Sequence, residues 1–310
     1  MPSPSDFFLL PFSDWVNALV REWLVPNFRP LFRALQVPVT MVLDWLDTFF
    51  NAVPMLAFTA VLAFIAWRVV GRGMSVFTIA ALVFVDLIGL WPETMTTLSM
   101  IITSFLFCVV LGIPLGIAAA RSDRLLALVR PVLDIMQTIP SFVYLVPIVM
   151  LFGVGMAPGI IATIIFALPP IVRLTNLGIR NVRADLIEAA EAFGSTSWQM
   201  LIDVQLPLAM RTIMAGLNQT LMLALSMVVI TSMIGAGGLG LTVYTGLGRL
   251  DVGGATAGGL GIVLLAIILD RITQALGESK GLRTVSLRQT LFSLFRRGAP
   301  VPTGETQKAA

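Results

Sequence analysis

The 310-residue chain contains no histidine, which removes the commonest metal ligand and the commonest general base. Its single cysteine, Cys108, sits inside an apolar run, so neither a disulfide framework nor a thiolate metal site is expected. Charge is scarce as well. Asp, Glu, Lys and Arg make up 12% of the residues, about half the share in an average soluble domain. No phosphate-cradling loop is present, because Gly277-Glu278-Ser279-Lys280 lacks the Walker A spacing. The N-terminus, MPSPSDFFLLPF, places an acid and no base ahead of its first apolar cluster, unlike a secretory signal. No internal repeat stands out. Neither a catalytic residue nor a bound cofactor is expected on this chain.

Apolar sequence fills the space these absences leave. The chain is 57% hydrophobic with a mean hydropathy of +0.93, and runs long enough to cross about 30 Å of hydrocarbon recur along it. We expect an all-α polytopic membrane protein with about seven spans, near 52–70, 74–91, 95–120, 131–152, 157–176, 212–233 and 252–271. Arginines mark alternate connections: Arg68 and Arg72, then Arg121, Arg124 and Arg130, then Arg173, Arg180, Arg183 and Arg211, and finally Arg271 onward. The intervening connections are nearly free of them. The positive-inside rule then places the C-terminus in the cytoplasm and the N-terminus outside. The basic balance is read as this topology signal and not as a nucleic-acid footprint.

Four regions are expected. Residues 1–50 form an amphipathic, proline-punctuated segment, with Trp15, Leu19, Trp23, Leu31, Leu35, Met41, Trp45 and Phe49 at helical spacing. It either lies in the headgroup plane or packs on protein. Residues 51–91 supply two peripheral transmembrane helices. Residues 92–275 form the core, carrying a cytoplasmic loop at 180–210. Residues 276–310 form a basic tail, with Leu287, Leu291, Leu294 and Phe295 on one helical stripe among Arg288, Arg296 and Arg297, and a polar, proline-containing end read as disordered. Contact with membrane lipids is expected of the amphipathic parts.

The loop is polar and helix-forming between two apolar runs. Asp185 and Glu188 resemble a capping box, Ala189 and Ala190 favour helix with a shallow face, and Gly194 suits a left-handed turn. Thr196 with Gln199 reads as a second box, and Pro207, after Leu206, checks the following helix. A helix, a glycine turn and a second helix should result. A capped hairpin without a partner satisfies the same local features.

The spacing EAA-x3-G-x9-V-x-LP over residues 188–207 resembles the cytoplasmic signature of ABC-importer membrane subunits. From about 95 to 275 the chain resembles the permeases of the glycine betaine/proline osmoprotectant uptake family. The carrying segments are MQTIPSFVYL at 136–145, IFALPPI at 165–171, NQTLMLALSM at 218–227 and GGLG at 237–240. The resemblance implies a type I importer fold in a bacterial inner membrane and a homodimer with a second copy of this chain. It also implies two copies of an ATPase subunit that bind ATP and Mg, and an extracytoplasmic substrate-binding protein. Glycine betaine, proline betaine, choline, carnitine and trimethylamine oxide would suit it as cargo.

Prolines 140, 147, 169 and 170 lie within apolar segments, where each removes a helix hydrogen bond and is expected to bend or break the helix. Broken backbone at membrane depth must be buried in protein or face a watery cavity. Gln137, Thr138, Pro140, Ser141, Phe142 and Tyr144 are therefore candidates for a translocation pathway, with Asn218, Ser226 and Met227 on a later span. The polar ones equally suit bridges between helices. Phe142 or Tyr144 could meet a cationic amine through a ring face. Gly112 with Gly116, and Gly254 with Gly258, read as small-residue packing pairs. Asp86, Asp134 and Asp270 fall toward span ends, leaving no obvious site for ion coupling. The competing readings are an ion-coupled carrier or channel for a small amine, an ABC permease for another small polar solute, or a non-transporting scaffold.

Overall fold

The computed structural model describes residues 11–278, so the expectations for residues 1–10 and for the basic tail from 279 onward lie outside the described residues. Helices form at α1 (Phe12–Asn17), α2 (Val25–Ala52), α3 (Met55–Val69), α4 (Arg72–Leu87), α5 (Trp91–Arg121) and α6 (Asp123–Thr138). They continue with α7 (Ser141–Phe152), α8 (Met156–Arg180), α9 (Ala184–Ala192), α10 (Ser197–Gln199), α11 (Leu206–Ser232), α12 (Leu239–Arg249) and α13 (Val252–Glu278). Wider π-helical turns at Ala18–Leu24 and Met200–Gln205 precede α2 and α11.

The central layer is α8, packed between α5 and α11. Close approach depends on glycine: a Cβ on Gly112 would meet the Ile171 side chain, and one on Gly116 would meet Thr175 and the Val172 carbonyl. The first expected packing pair is therefore observed. The second is half observed, since Gly258 faces α12 whereas Gly254 faces the carboxylate of Asp251 at the start of its own helix. Several buried hydroxyls are satisfied within their own helices. Thr103 donates to the Ser99 carbonyl (2.6 Å), Ser104 to that of Met100 (2.8 Å) and Thr163 to that of Gly159 (2.9 Å). Back-bonding of this kind lets polar residues sit at near-zero exposure in an apolar core.

Among the described residues, four helical stretches are long and apolar enough to cross a membrane, Trp91–Arg121, Met156–Arg180, Ser197–Ser232 and Val252–Gly277, or up to six if each of two bent pairs counts as one span. The expected span at 131–152 is one of those pairs: α6 and α7 meet at a 103° bend. The other is Pro30–Ala52 with α3, bent by 104°. The expected spans at 52–70 and 74–91 correspond to helices of 15 and 16 residues, about 24 Å at most, which is short of the hydrocarbon thickness.

The prolines behave differently from one another. Pro140 ends one helix and caps the next, with Ile139 extended (ψ 126°) as a residue before proline prefers. Pro169 and Pro170 do not break α8, contrary to the expectation. Both are buried, and Gly216 of α11 lies against the Pro170 carbonyl and Ile171, so packing on both sides holds the helix through its missing hydrogen bonds. Pro147 is likewise carried inside α7.

The N-terminal segment shows two faces. Val39, Leu43, Leu46 and Phe50 are buried against the core. The stripe that includes Leu31, Leu35, Met41, Trp45 and Phe49 is the outward one, exposed along with Trp15, Leu19 and Trp23. Asp47 is tied inward, accepting a hydrogen bond from Ser99 (3.0 Å).

Connections sort by end. The glycine loops meet where the Gly155 N–H donates to the Ile234 carbonyl (2.9 Å) and the Leu239 N–H to Thr97 Oγ1 (2.8 Å). At the arginine-rich connections, Arg121 donates to the Ser197 carbonyl (2.6 Å), and Arg180 reaches the Ala119 carbonyl (3.0 Å) and Asp123 (2.7 Å).

Candidate functional site

The 180–210 loop is a short helix, a tight turn and a second helix. Gly194 sits at φ +80° in the turn, and its N–H donates to the Glu191 carbonyl (2.9 Å). Only glycine takes that conformation at little cost. Thr196 and Gln199 form the expected capping box: the Gln199 N–H donates to Thr196 Oγ1 (3.3 Å) and the Thr196 N–H to Gln199 Oε1 (2.9 Å). The first expected box is absent. Arg183 occupies the N-cap without a side-chain cap bond, and its guanidinium pairs with Asp185. Asp185 lies within the first turn, past the position from which a carboxylate caps, so the arginine two residues back takes it. It still places negative charge at the positive end of the helix dipole.

Pro207 does not check the second helix. The helical path runs from Ser197 to Ser232, with Pro207 in the first turn of α11. The π-helical turn just before it, Met200–Gln205, is the local irregularity at which the ring is accommodated. Met200 and Leu201 are buried beneath the loop, Leu201 in a cluster with Ile179, Ala209 and Ile213, while Leu206 is half-buried at its edge. The loop is thus anchored from below and open above. No residue of α9 is buried: Asp185, Glu188 and Ala189 are exposed and Ala190 partly so.

Sequence reasoning overlooked the apolar part of this surface. Phe193 is 92% exposed, Trp198 64% and Leu186 39%. Two large exposed rings, one on each side of a structured glycine turn, put apolar surface in water, and exposed apolar patches mark interaction sites. An aromatic residue immediately before the motif glycine, and another inside a polar stretch, were the available signals.

The loop is also tied to the spanning helices. Arg121 at the end of α5 holds the Ser197 carbonyl, and Arg180 at the end of α8 holds the end of α5 and the start of α6. Further along, Arg173 of α8 pairs with Asp134 of α6 at 2.6 Å. These contacts form a continuous series of polar links from the loop to the helix that stops at Pro140.

The pathway candidates divide at that proline. Gln137 and Thr138 lie on α6, while Ser141, Phe142 and Tyr144 lie on α7 across the 103° bend, so the candidates of that expected span fall into two separate groups. Tyr144 and Met227 come together, the phenol hydroxyl donating to the buried thioether sulfur at 3.9 Å. Asn218 is engaged elsewhere, accepting from Thr273 Oγ1 (2.7 Å) in a bridge between α11 and α13. Ser226 is exposed and donates to the Leu223 carbonyl of its own helix (2.7 Å). Phe142 opens onto a cavity of about 660 Å3 shared with Val229, Ile230, Met233, Tyr244 and Arg249. Tyr244 and Arg249 were not read as candidates, because α12 is short and its role is set by its position against α11.

Comparison with known proteins places this geometry. The profile of the family described as binding-protein-dependent transport system inner membrane component matches residues 112–280. The glycine betaine/proline betaine transport system permease protein ProW of Escherichia coli is 57% identical over 270 residues, 87% of this chain and 76% of that protein. The glycine betaine transport system permease protein OpuAB of Bacillus subtilis is 42% identical over 87% of this chain and 96% of its own length. Among solved structures, a chain of the MetNI methionine ABC transporter aligns at 26% identity and a TM-score of 0.52, covering 61% of this chain and 92% of that one. The chain therefore belongs to the inner-membrane components of binding-protein-dependent transport systems and is the permease subunit of an ABC importer.

Proposed function

We propose that this permease works as a homodimer, takes up a quaternary-amine or related compatible solute, and is driven by two copies of an ATPase docked on the 180–210 loop. The observation that carries the docking assignment is the uncovered apolar face of Leu186, Phe193 and Trp198 on a loop anchored from below. ATP and Mg belong to the ATPase, and an extracytoplasmic binding protein delivers the cargo. The arginine-rich end carries the loop, which favours a cytoplasmic C-terminus and an N-terminus outside. Glu188, Ala189, Ala190 and Gly194 shape the docking face, and the arginine links pass its movement to the helices around Pro140.

Glycine betaine, proline betaine and trimethylamine N-oxide appear in the names of relatives, and carnitine in that of a further one. A net-neutral or cationic methylammonium cargo suits a route with little fixed charge. The rings of Phe142, Tyr144 and Tyr244 offer cation–π faces along it. The test is uptake of radiolabelled glycine betaine into proteoliposomes containing this chain, its ATPase and its binding protein, with carnitine, choline, proline betaine and trimethylamine oxide as competitors. Uptake that requires ATP and is reduced by at least one competitor is expected. Flux by this chain alone would favour an ion-coupled carrier or channel and contradict the proposal.

A further inference from the structure

A second cavity, of about 340 Å3, lies between α6 and α8 beside the end of α5. Its walls are mostly leucine and valine, and its polar lining is Arg130, Asp134, Arg173 and Asn176. The Arg173–Asp134 pair cancels one charge of each sign. Arg130 is exposed and adds a cation with no hydrogen bond or ion pair among the described residues, so the lining carries a net charge of +1. Asn176 is 9% exposed, and its amide nitrogen is buried without a partner among the described residues. Such a group is costly to leave unpaired unless a ligand supplies an acceptor. The outer face of α6 is apolar and exposed at Leu128, Val132 and Ile135, as expected of a helix lying at the hydrocarbon edge.

Taken together, these features describe a pocket with apolar walls, surplus N–H donors and one unmatched positive charge. We propose that it binds a singly charged phosphate group, with Arg130 and Asn176 donating to its oxygens and Asp134 holding Arg173 in place. Guanidinium groups suit phosphate oxygens through paired donors. The same chemistry has two sources, the phosphodiester of an anionic phospholipid or a free phosphate. A zwitterionic phospholipid carries no net charge and should compete poorly.

The full-length chain, purified and delipidated in detergent, would be titrated separately with short-chain phosphatidylglycerol, short-chain phosphatidylcholine and inorganic phosphate. Binding would be read by melting temperature and by native mass spectrometry. Saturable phosphatidylglycerol binding at one per chain is expected, with phosphatidylcholine at least about tenfold weaker. Arg130→Gln and Asn176→Leu should each weaken it by roughly tenfold. Asn176→Leu should also keep or raise the ligand-free melting temperature, because it removes an unpaired buried amide. Saturation by inorganic phosphate with the same losses assigns the soluble source. Absence of saturable binding by either, or unchanged affinity in Arg130→Gln, overturns the site.

Discussion

At the scale of single residues, Gly194 and Gly116 illustrate two different reasons for glycine. Gly194 needs its positive φ, and alanine there costs roughly 1–2 kcal/mol of local strain. Proline is excluded outright, because its ring holds φ near −65° and removes the N–H that donates to Glu191. Gly194→Pro should therefore abolish uptake while the protein still inserts at normal levels, measured by transport assay beside membrane immunoblotting. Gly116 instead needs space. A Cβ there would lie 2.6 Å from that of Thr175 and 2.8 Å from the Val172 carbonyl. Gly116→Ala should destabilise the contact between α5 and α8 by roughly 1–3 kcal/mol, visible as a lower melting temperature in detergent. The spacing of the loop motif makes Gly194 readable from the chain, and the four-residue interval from Gly112 does the same for Gly116. Asp185 was harder to read, since its nearest charged partner is an arginine two residues back, within reach only once the helix start is formed.

At the scale of elements, the same residue type gave opposite outcomes. Pro140 interrupts the path from α6 to α7 because it is exposed and Ile139 is free to extend. Pro169 and Pro170 are enclosed by neighbouring helices, and α8 continues unbroken past them. Which prolines bend a helix depends on tertiary packing, so hydropathy and proline position alone gave too many breaks. The N-terminal helix has a comparable ambiguity. Its aromatic stripe is visible in the sequence, yet a less conspicuous stripe of Val39, Leu43, Leu46 and Phe50 packs on the core. The link from α5 to the loop is tertiary as well. Arg121→Gln removes the bond to the Ser197 carbonyl, which lies 76 residues away in sequence. It should lower uptake a few-fold while leaving ATPase binding intact. Parallel uptake and co-purification assays separate the two, and a loss of co-purification would show that Arg121 shapes the docking face instead.

At the scale of the whole molecule, the connections that follow Arg121 and Arg180, the loop and the last turns of α5 and α8 gather together, while the glycine loops meet elsewhere. This arrangement joins the anchored 180–210 loop to a helix break through a short series of polar contacts. Its central claim is that Phe193 and Trp198 form the seat of the driving ATPase. The most direct measurement is ATP-dependent glycine betaine uptake, with ATPase co-purification, for the Phe193→Asp/Trp198→Asp double variant against the unaltered chain in the complete reconstituted system. Both residues are exposed, so the variant should insert and fold normally. We expect loss of ATPase co-purification and at least about a tenfold fall in uptake. Unchanged uptake with the ATPase still bound would contradict the account.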